Sequence, residues 1–168
     1  ERILALKENV IADFERRVVI TGVHGMGGIG KSVLATALAR DFQVRRTFSD
    51  GIYWVTVGQN RELTRLQAQL AGELGEAQHF DTVEQGKNRL KEMLKDQAAL
   101  LVLDDVWEGD QADAFQVLGP RCRALITTRD ASLITALGGI DYQVPLLSDS
   151  EARHLLAEWA GCPESDLP

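Results

Sequence analysis

The sequence is poor in cysteine. Its 168 residues include two, Cys122 and Cys162, and neither belongs to a CxxC pair. No thiolate zinc site and no disulfide framework can be built from them. That usage fits a reducing compartment, and the expected location is the cytoplasm. Long hydrophobic runs are lacking as well. Nothing approaches the ~18 consecutive apolar residues needed to cross a bilayer, so no membrane association is expected. Basic residues are in deficit, with 18 Lys and Arg against 25 Asp and Glu and a net charge of −7. A whole-surface basic field for nucleic acid is thereby disfavoured, although a local basic patch stays open. Internal repeats and low-complexity segments are absent too.

What remains is an ordinary globular composition, 45% hydrophobic and 26% charged, suited to one domain with a sizeable core. The chain starts at Glu1 and stops at Pro168 just after a helix-like stretch. The expectation is a piece of a longer protein, with residues 1–17 as an N-terminal helix and lead-in and 18–168 as the core.

Apolar periodicity gives the order of elements. Ile3 to Ile11 is spaced as a helix. Val18-Val19-Ile20-Thr21-Gly22-Val23 is a short β-branched run, the pattern of a buried parallel strand. Residues 30–41 read as a helix and 51–57 as a second strand. Residues 62–74 and 82–96 read as two helices, 99–105 as a third strand and 110–117 as a short helix. A fourth strand at 123–129, a helix at 131–137 and a fifth strand at 142–146 follow. Ser148 and Glu151 have capping-box spacing before a last helix that Gly161 closes. Strands alternating with helices predict an α/β fold: a five-stranded parallel sheet with helices on both faces. In such sheets ligands bind beyond the carboxyl ends of the strands.

Directly after the first strand stands Gly25-Met26-Gly27-Gly28-Ile29-Gly30-Lys31-Ser32, which satisfies GxxxxGK[ST] between a strand and a helix. Glycines let the backbone turn several N–H groups toward phosphate oxygens, and the helix that follows presents its positive end to the same anion. Lys31 supplies a charge for the β- and γ-phosphates, and Ser32 a hydroxyl for Mg²⁺. Gly25, Gly27 and Gly30 also satisfy the dinucleotide pattern GxGxxG. That reading wants an acid at the end of the second strand. The strand instead runs into Val57-Gly58-Gln59-Asn60, and the pattern has no use for Lys31-Ser32.

The most hydrophobic strand ends in Asp104-Asp105, two carboxylates that are costly there without compensation. Asp104 is the candidate Mg²⁺ ligand alongside Ser32. Asp105 is the candidate for positioning an attacking water, with helix capping or pairing to a nearby base as its plainer role. Arg129, after Thr127-Thr128, is a candidate γ-phosphate sensor through charge-assisted bonds. A local salt bridge to Asp130 is the alternative. The tryptophans, Trp54, Trp107 and Trp159, read as core or core-edge residues. Arg16-Arg17 and Arg45-Arg46 read as solvated faces.

Taken together, GMGGIGKSVLATALARD, GIYWVTVG, LLVLDDVW and ALITTRD resemble, in order and spacing, the NB-ARC domain. This is the nucleotide-binding module of STAND-class P-loop ATPases, found in an apoptotic protease-activating factor and in plant disease-resistance proteins. The resemblance extends from about residue 18 to residue 168. It implies a P-loop three-layer sandwich with the TTR strand between the glycine-loop and DD strands. It also implies an ATP/ADP switch with slow Mg²⁺-dependent hydrolysis coupled to homo-oligomerisation, in apoptosis-like or immune signalling. By similarity, backbone from Gly27 to Val33 wraps the phosphates, Ser32 and Asp104 serve Mg²⁺, and Arg129 senses the γ-phosphate. The family's strap before the first helix and its GxP motif are missing from the sequence. Helical and winged-helix subdomains, and effector and repeat domains, are therefore expected as partners elsewhere in a longer chain. A steady-turnover ATPase or nucleotide kinase, and an interaction module without nucleotide, are the rival functions.

Overall fold

The computed structural model describes residues 2–11, 19–59 and 62–166. The Arg16-Arg17 pair, the start of the first strand at Val18, Asn60 and Arg61, and Leu167-Pro168 lie outside the described residues. The elements in chain order are α1 (Arg2–Ile11), β1 (Val19–His24), α2 (Lys31–Arg40), α3 (Phe42–Thr47), β2 (Gly51–Thr56), α4 (Leu63–Glu73), α5 (Val83–Leu94), β3 (Ala99–Val106), α6 (Gly109–Asp113), β4 (Arg123–Thr128), α7 (Ala131–Ala136), β5 (Ile140–Gln143) and α8 (Asp149–Ala160).

The five strands form one parallel sheet in the order β2-β3-β4-β1-β5. Central strand β3 explains why both faces must be covered. Its side chains alternate across the sheet, and every second one on each side is apolar. Leu101 and Leu103 join a core with Leu66 and Leu70 of α4, Leu90 and Leu94 of α5, and Leu133 of α7. Leu100 and Val102 join the opposite core with Leu6 and Val10 of α1, Leu38 of α2 and Val44 of α3. The result is the expected α/β sandwich with helices on both faces. As the family resemblance implied, β4 lies between the glycine-loop strand β1 and the acid-pair strand β3.

Three places differ from the sequence reading. The short helix read over 110–117 is α6, which ends at Asp113. The helix read over 30–41 is α2, but a second short helix that the reading lacked follows it. Asp41 has extended backbone (φ −61°, ψ 135°), and its carboxylate caps a separate helix, α3, by accepting from the Gln43 and Val44 N–H groups. The fifth strand is Ile140–Gln143 rather than 142–146. Pairing to β1 places Thr21 beside Ile140 and His24 beside Gln143. The Val144 N–H still donates to the His24 carbonyl (2.9 Å), but Pro145 has no N–H with which to continue the ladder. The last helix agrees: Ser148 and Glu151 form the capping box, and Gly161 closes the helix at φ 67°.

Candidate functional site

The ends of β1, β3 and β4 point to the same edge of the sheet, and the expected residues meet there. β1 runs into the glycine loop, where Gly28 and Gly30 have φ of 79° and 99°. A side chain would be strained in this left-handed backbone. Beside the position of a Cβ at either residue there is open space within 4 Å. The backbone can therefore approach a ligand closely at both. Gly30 is the N-cap of α2 and offers no side chain to the first N–H groups of that helix, which leaves donors for an external acceptor. Met26 and Val33 carry exposed side chains, so their part in a phosphate site would be through backbone.

Lys31 is buried, and its ammonium donates to the Gly25 and Met26 carbonyls at 2.8 and 2.9 Å. Burial is the largest influence on it and pushes its pKa below the ordinary lysine value. The Arg129 guanidinium pushes the same way, while Asp105 and Asp104 hold it up. Both carboxylates and Arg129 therefore act on this one ammonium.

Asp104 is buried and fully engaged. Its Oδ1 accepts from Ser32 Oγ (2.7 Å) and from Thr127 Oγ1 (2.6 Å). Thr127, which the sequence reading passed over, also accepts from the Asp105 N–H (2.9 Å). Asp105 is unusual in another way: its φ of 58° is the one positive value at a non-glycine residue among the described residues. Such backbone costs free energy and persists where the surroundings enforce it. Here the Asp105 carbonyl accepts from Gly58 and its N–H donates to Thr127. Asp105 does not cap the helix that follows; the N-cap of α6 is Glu108.

Arg129 stands over the face of Trp107, 4.7 Å from the ring centroid. It also abuts the glycine loop, since a methyl group added at Gly27 would come within 3.2 Å of its Nη1. The alternative salt bridge to Asp130 is not formed. Asp130 caps α7 by accepting from the Ser132 N–H, and hydrogen bonding from the Ser132 hydroxyl and then its N–H holds the carboxyl below the usual range. Gly27, Gly28, Lys31, Asp104, Asp105 and Arg129 line one recess of about 440 Å³ together with Thr56 and Thr127. A second cavity of about 330 Å³, floored by Leu103, Phe115, Ala124 and Ile126, shares no lining residue with it.

The oxygen donors of Ser32 and Asp104, 2.7 Å apart, are of the hard type that suits Mg²⁺. The open, left-handed backbone at Gly28 and Gly30 suits a phosphate chain. The rival dinucleotide reading fails on topology. It needs the second strand beside the first, whereas β3 and β4 separate β2 from β1.

Comparison with known proteins agrees with this geometry. The model of the NB-ARC domain matches residues 3–165, so the likeness begins in α1 rather than near residue 18. The apoptotic protease-activating factor 1 of Danio rerio is 35% identical over 87% of this chain, and that of Homo sapiens 34% over 87%. A probable disease resistance protein of Arabidopsis thaliana is 31% identical over 88%. The chain spans 12% of the length of the two apoptotic relatives and 20% of the plant one. Among solved structures, a STAND protein with a tetratricopeptide repeat sensor from Pyrococcus horikoshii superposes with a TM-score of 0.60 at 16% identity. The match covers 89% of this chain and 24% of that one. The ORC2 protein of Aeropyrum pernix, solved in ADPNP–ADP complexes, gives 0.62 at 14% identity, with 95% and 51% covered; both show the fold. No helix among the described residues is long and apolar enough to cross a membrane. With the family model covering nearly every residue and the four motifs converging on one recess, this chain belongs to the NB-ARC domain family, the nucleotide-binding domain of STAND-type P-loop ATPases.

Proposed function

We propose that this chain binds ADP and ATP across the glycine loop and serves as the nucleotide-controlled switch of a larger cytoplasmic signalling protein. It hydrolyses ATP slowly, and the ATP-bound longer protein assembles into homo-oligomers. The observation that carries the reading is the convergence of Lys31, Ser32, Asp104 and Arg129 on one recess. Residues 18–168 act as the P-loop core and residues 1–17 as its lead-in, with the remaining domains supplied elsewhere in the longer protein.

The roles follow from chemistry. Backbone N–H groups from Gly25 to Val33 hold the phosphates, with the left-handed Gly28 and Gly30 keeping side chains out of the way. Lys31 exchanges its two loop carbonyls for phosphate oxygens. Ser32 and Asp104 would hold Mg²⁺, which would supply charge neutralisation for the phosphates. Asp105 orients the attacking water, its carboxyl aimed by a strained backbone. Arg129 meets the γ-phosphate through its guanidinium edge.

Steady-state hydrolysis tests the reading. The expected result is Mg²⁺-dependent turnover below about 1 per second, under the ordinary enzyme range, and its loss in Asp104→Asn. A faster rate would favour a turnover enzyme. An Asp104→Asn variant with undiminished hydrolysis would remove Asp104 from the site.

A further inference from the structure

We infer that Trp107 is a specificity-determining residue: by stacking on Arg129 it poises the guanidinium at the glycine loop and so favours a nucleoside triphosphate over a diphosphate. The inference rests on the proposed nucleotide site and goes beyond it, since none of the roles above uses Trp107.

The geometry of the stack is what matters. A guanidinium has two usable surfaces, a flat face and an edge of five in-plane N–H donors. A carboxylate partner would occupy the edge, the part that phosphate oxygens need. Among the described residues Arg129 makes no ion pair, and the neighbouring Asp130 is spent on capping α7. Its cation–π partner is the Trp107 ring, 4.7 Å away, which engages the face and leaves the edge available. The same guanidinium already lies against Gly27 and lines the recess with Lys31 and Asp104. A residue with this much rotamer freedom loses it on binding. Here the stack has restricted the side chain before a ligand arrives. A triphosphate reaching past the loop meets a pre-positioned cation, whereas a diphosphate ends one phosphate short.

Trp107 itself is seated by its backbone. Its N–H donates to Gln111 Oε1 (2.8 Å), which also accepts from the Glu108 N–H (3.2 Å). Gln111 is buried, and its Nε2 donates to the Gly58 carbonyl at the end of β2 (3.0 Å). The indole N–H, by contrast, is buried without a hydrogen-bond partner among the described residues. The ring is therefore placed by its backbone, its packing and the stack, not by an anchor of its own.

The test is calorimetric titration with ADP and with a non-hydrolysable ATP analogue of the wild type, Trp107→Leu, Trp107→Phe and Trp107→Leu in an Arg129→Gln background. Leucine keeps an apolar filling and removes the π face. Trp107→Leu is expected to lose about 5- to 10-fold in triphosphate affinity with diphosphate affinity nearly unchanged, the size of one such stack. Trp107→Phe is expected to fall between the two and decides the matter should the leucine variant fail to fold. In the Arg129→Gln background Trp107→Leu should leave the tri- to diphosphate ratio as it is. An unchanged ratio in both single variants, or an equal loss for both nucleotides, overturns the inference alone. A wild type that binds neither nucleotide overturns the nucleotide reading, and this inference with it.

Discussion

Thr127 sits buried between the two acids, donating to Asp104 Oδ1 and accepting from the Asp105 N–H. One hydroxyl thereby orients the metal candidate and holds the strained Asp105 backbone at φ 58°. Thr127→Val keeps the shape and removes both bonds, leaving a buried N–H unpaired. We expect it to lose about 1–3 kcal/mol by denaturant unfolding, with Thr127→Ser recovering most of it. A valine variant as stable as the wild type would show that the hydroxyl supports nothing. Lys31 carries a second prediction. Its pKa is lowered, chiefly by burial, and an anion bound beside it would raise it again. In the free protein the charged form is thus lost at a lower pH than for an ordinary lysine. ADP affinity should therefore fall as pH rises through the alkaline range below the ordinary lysine value of 10.5, with proton uptake on binding seen as a dependence of calorimetric heat on buffer ionisation. Constant affinity across that range would contradict the role given to Lys31. The glycine loop and the acid pair were legible because each is contiguous in sequence. Thr127 and the Trp107 ring were not, because their partners are brought near by folding, and the same holds for the bond from Gln111 to Gly58. The stack of Trp107 on Arg129 joins the residues that follow β3 and β4 at their carboxyl ends, and no spacing rule announces it.

At the scale of elements, β1 and α7 meet with no room to spare. A methyl group added at Gly22 would come within 2.3 Å of Ile134. Gly22 lies in the strand that leads to the glycine loop, so close approach of α7 is built into the placement of that loop. Gly22→Ala is expected to destabilise by about 1–3 kcal/mol through overpacking. Adding Ile134→Ala should relieve that clash, so the double mutant falls short of the sum of its parts. Additive losses in thermal unfolding would argue that the contact is slack. Strand β3 and the long helices α4 and α5 were legible, since continuous apolar runs and amphipathic spacing over ten or more residues are strong local signals. The separate α3 was not. Its cue is Asp41, a capping residue that was read only as the end of the preceding helix. The end of β5 was misjudged because its length is set by where β1 turns away and by Pro145, not by its own apolar run.

For the molecule as a whole, a net charge of −7 opposes an anionic ligand at long range, although screening confines that effect to about 10 Å at ordinary salt. Binding must then be local, carried by Lys31, Arg129 and backbone N–H groups at one edge of the sheet. Whole-chain composition disfavoured a broad basic surface but could not foresee a recess that brings Lys31 and Arg129 together beside two carboxylates, because summed charge says nothing of where charges converge. The fold is shared with solved structures at 14–16% identity: the alternating apolar runs suffice for the sandwich, and the motifs are needed only at its edge. The central claim, that the glycine loop holds a nucleotide, is tested most directly by titrating ADP with Mg²⁺ into the wild type and into Lys31→Ala by calorimetry. The account predicts saturable one-to-one binding by the wild type and an affinity at least about 100-fold weaker in the variant. Equal affinities, or no binding by the wild type, would contradict it.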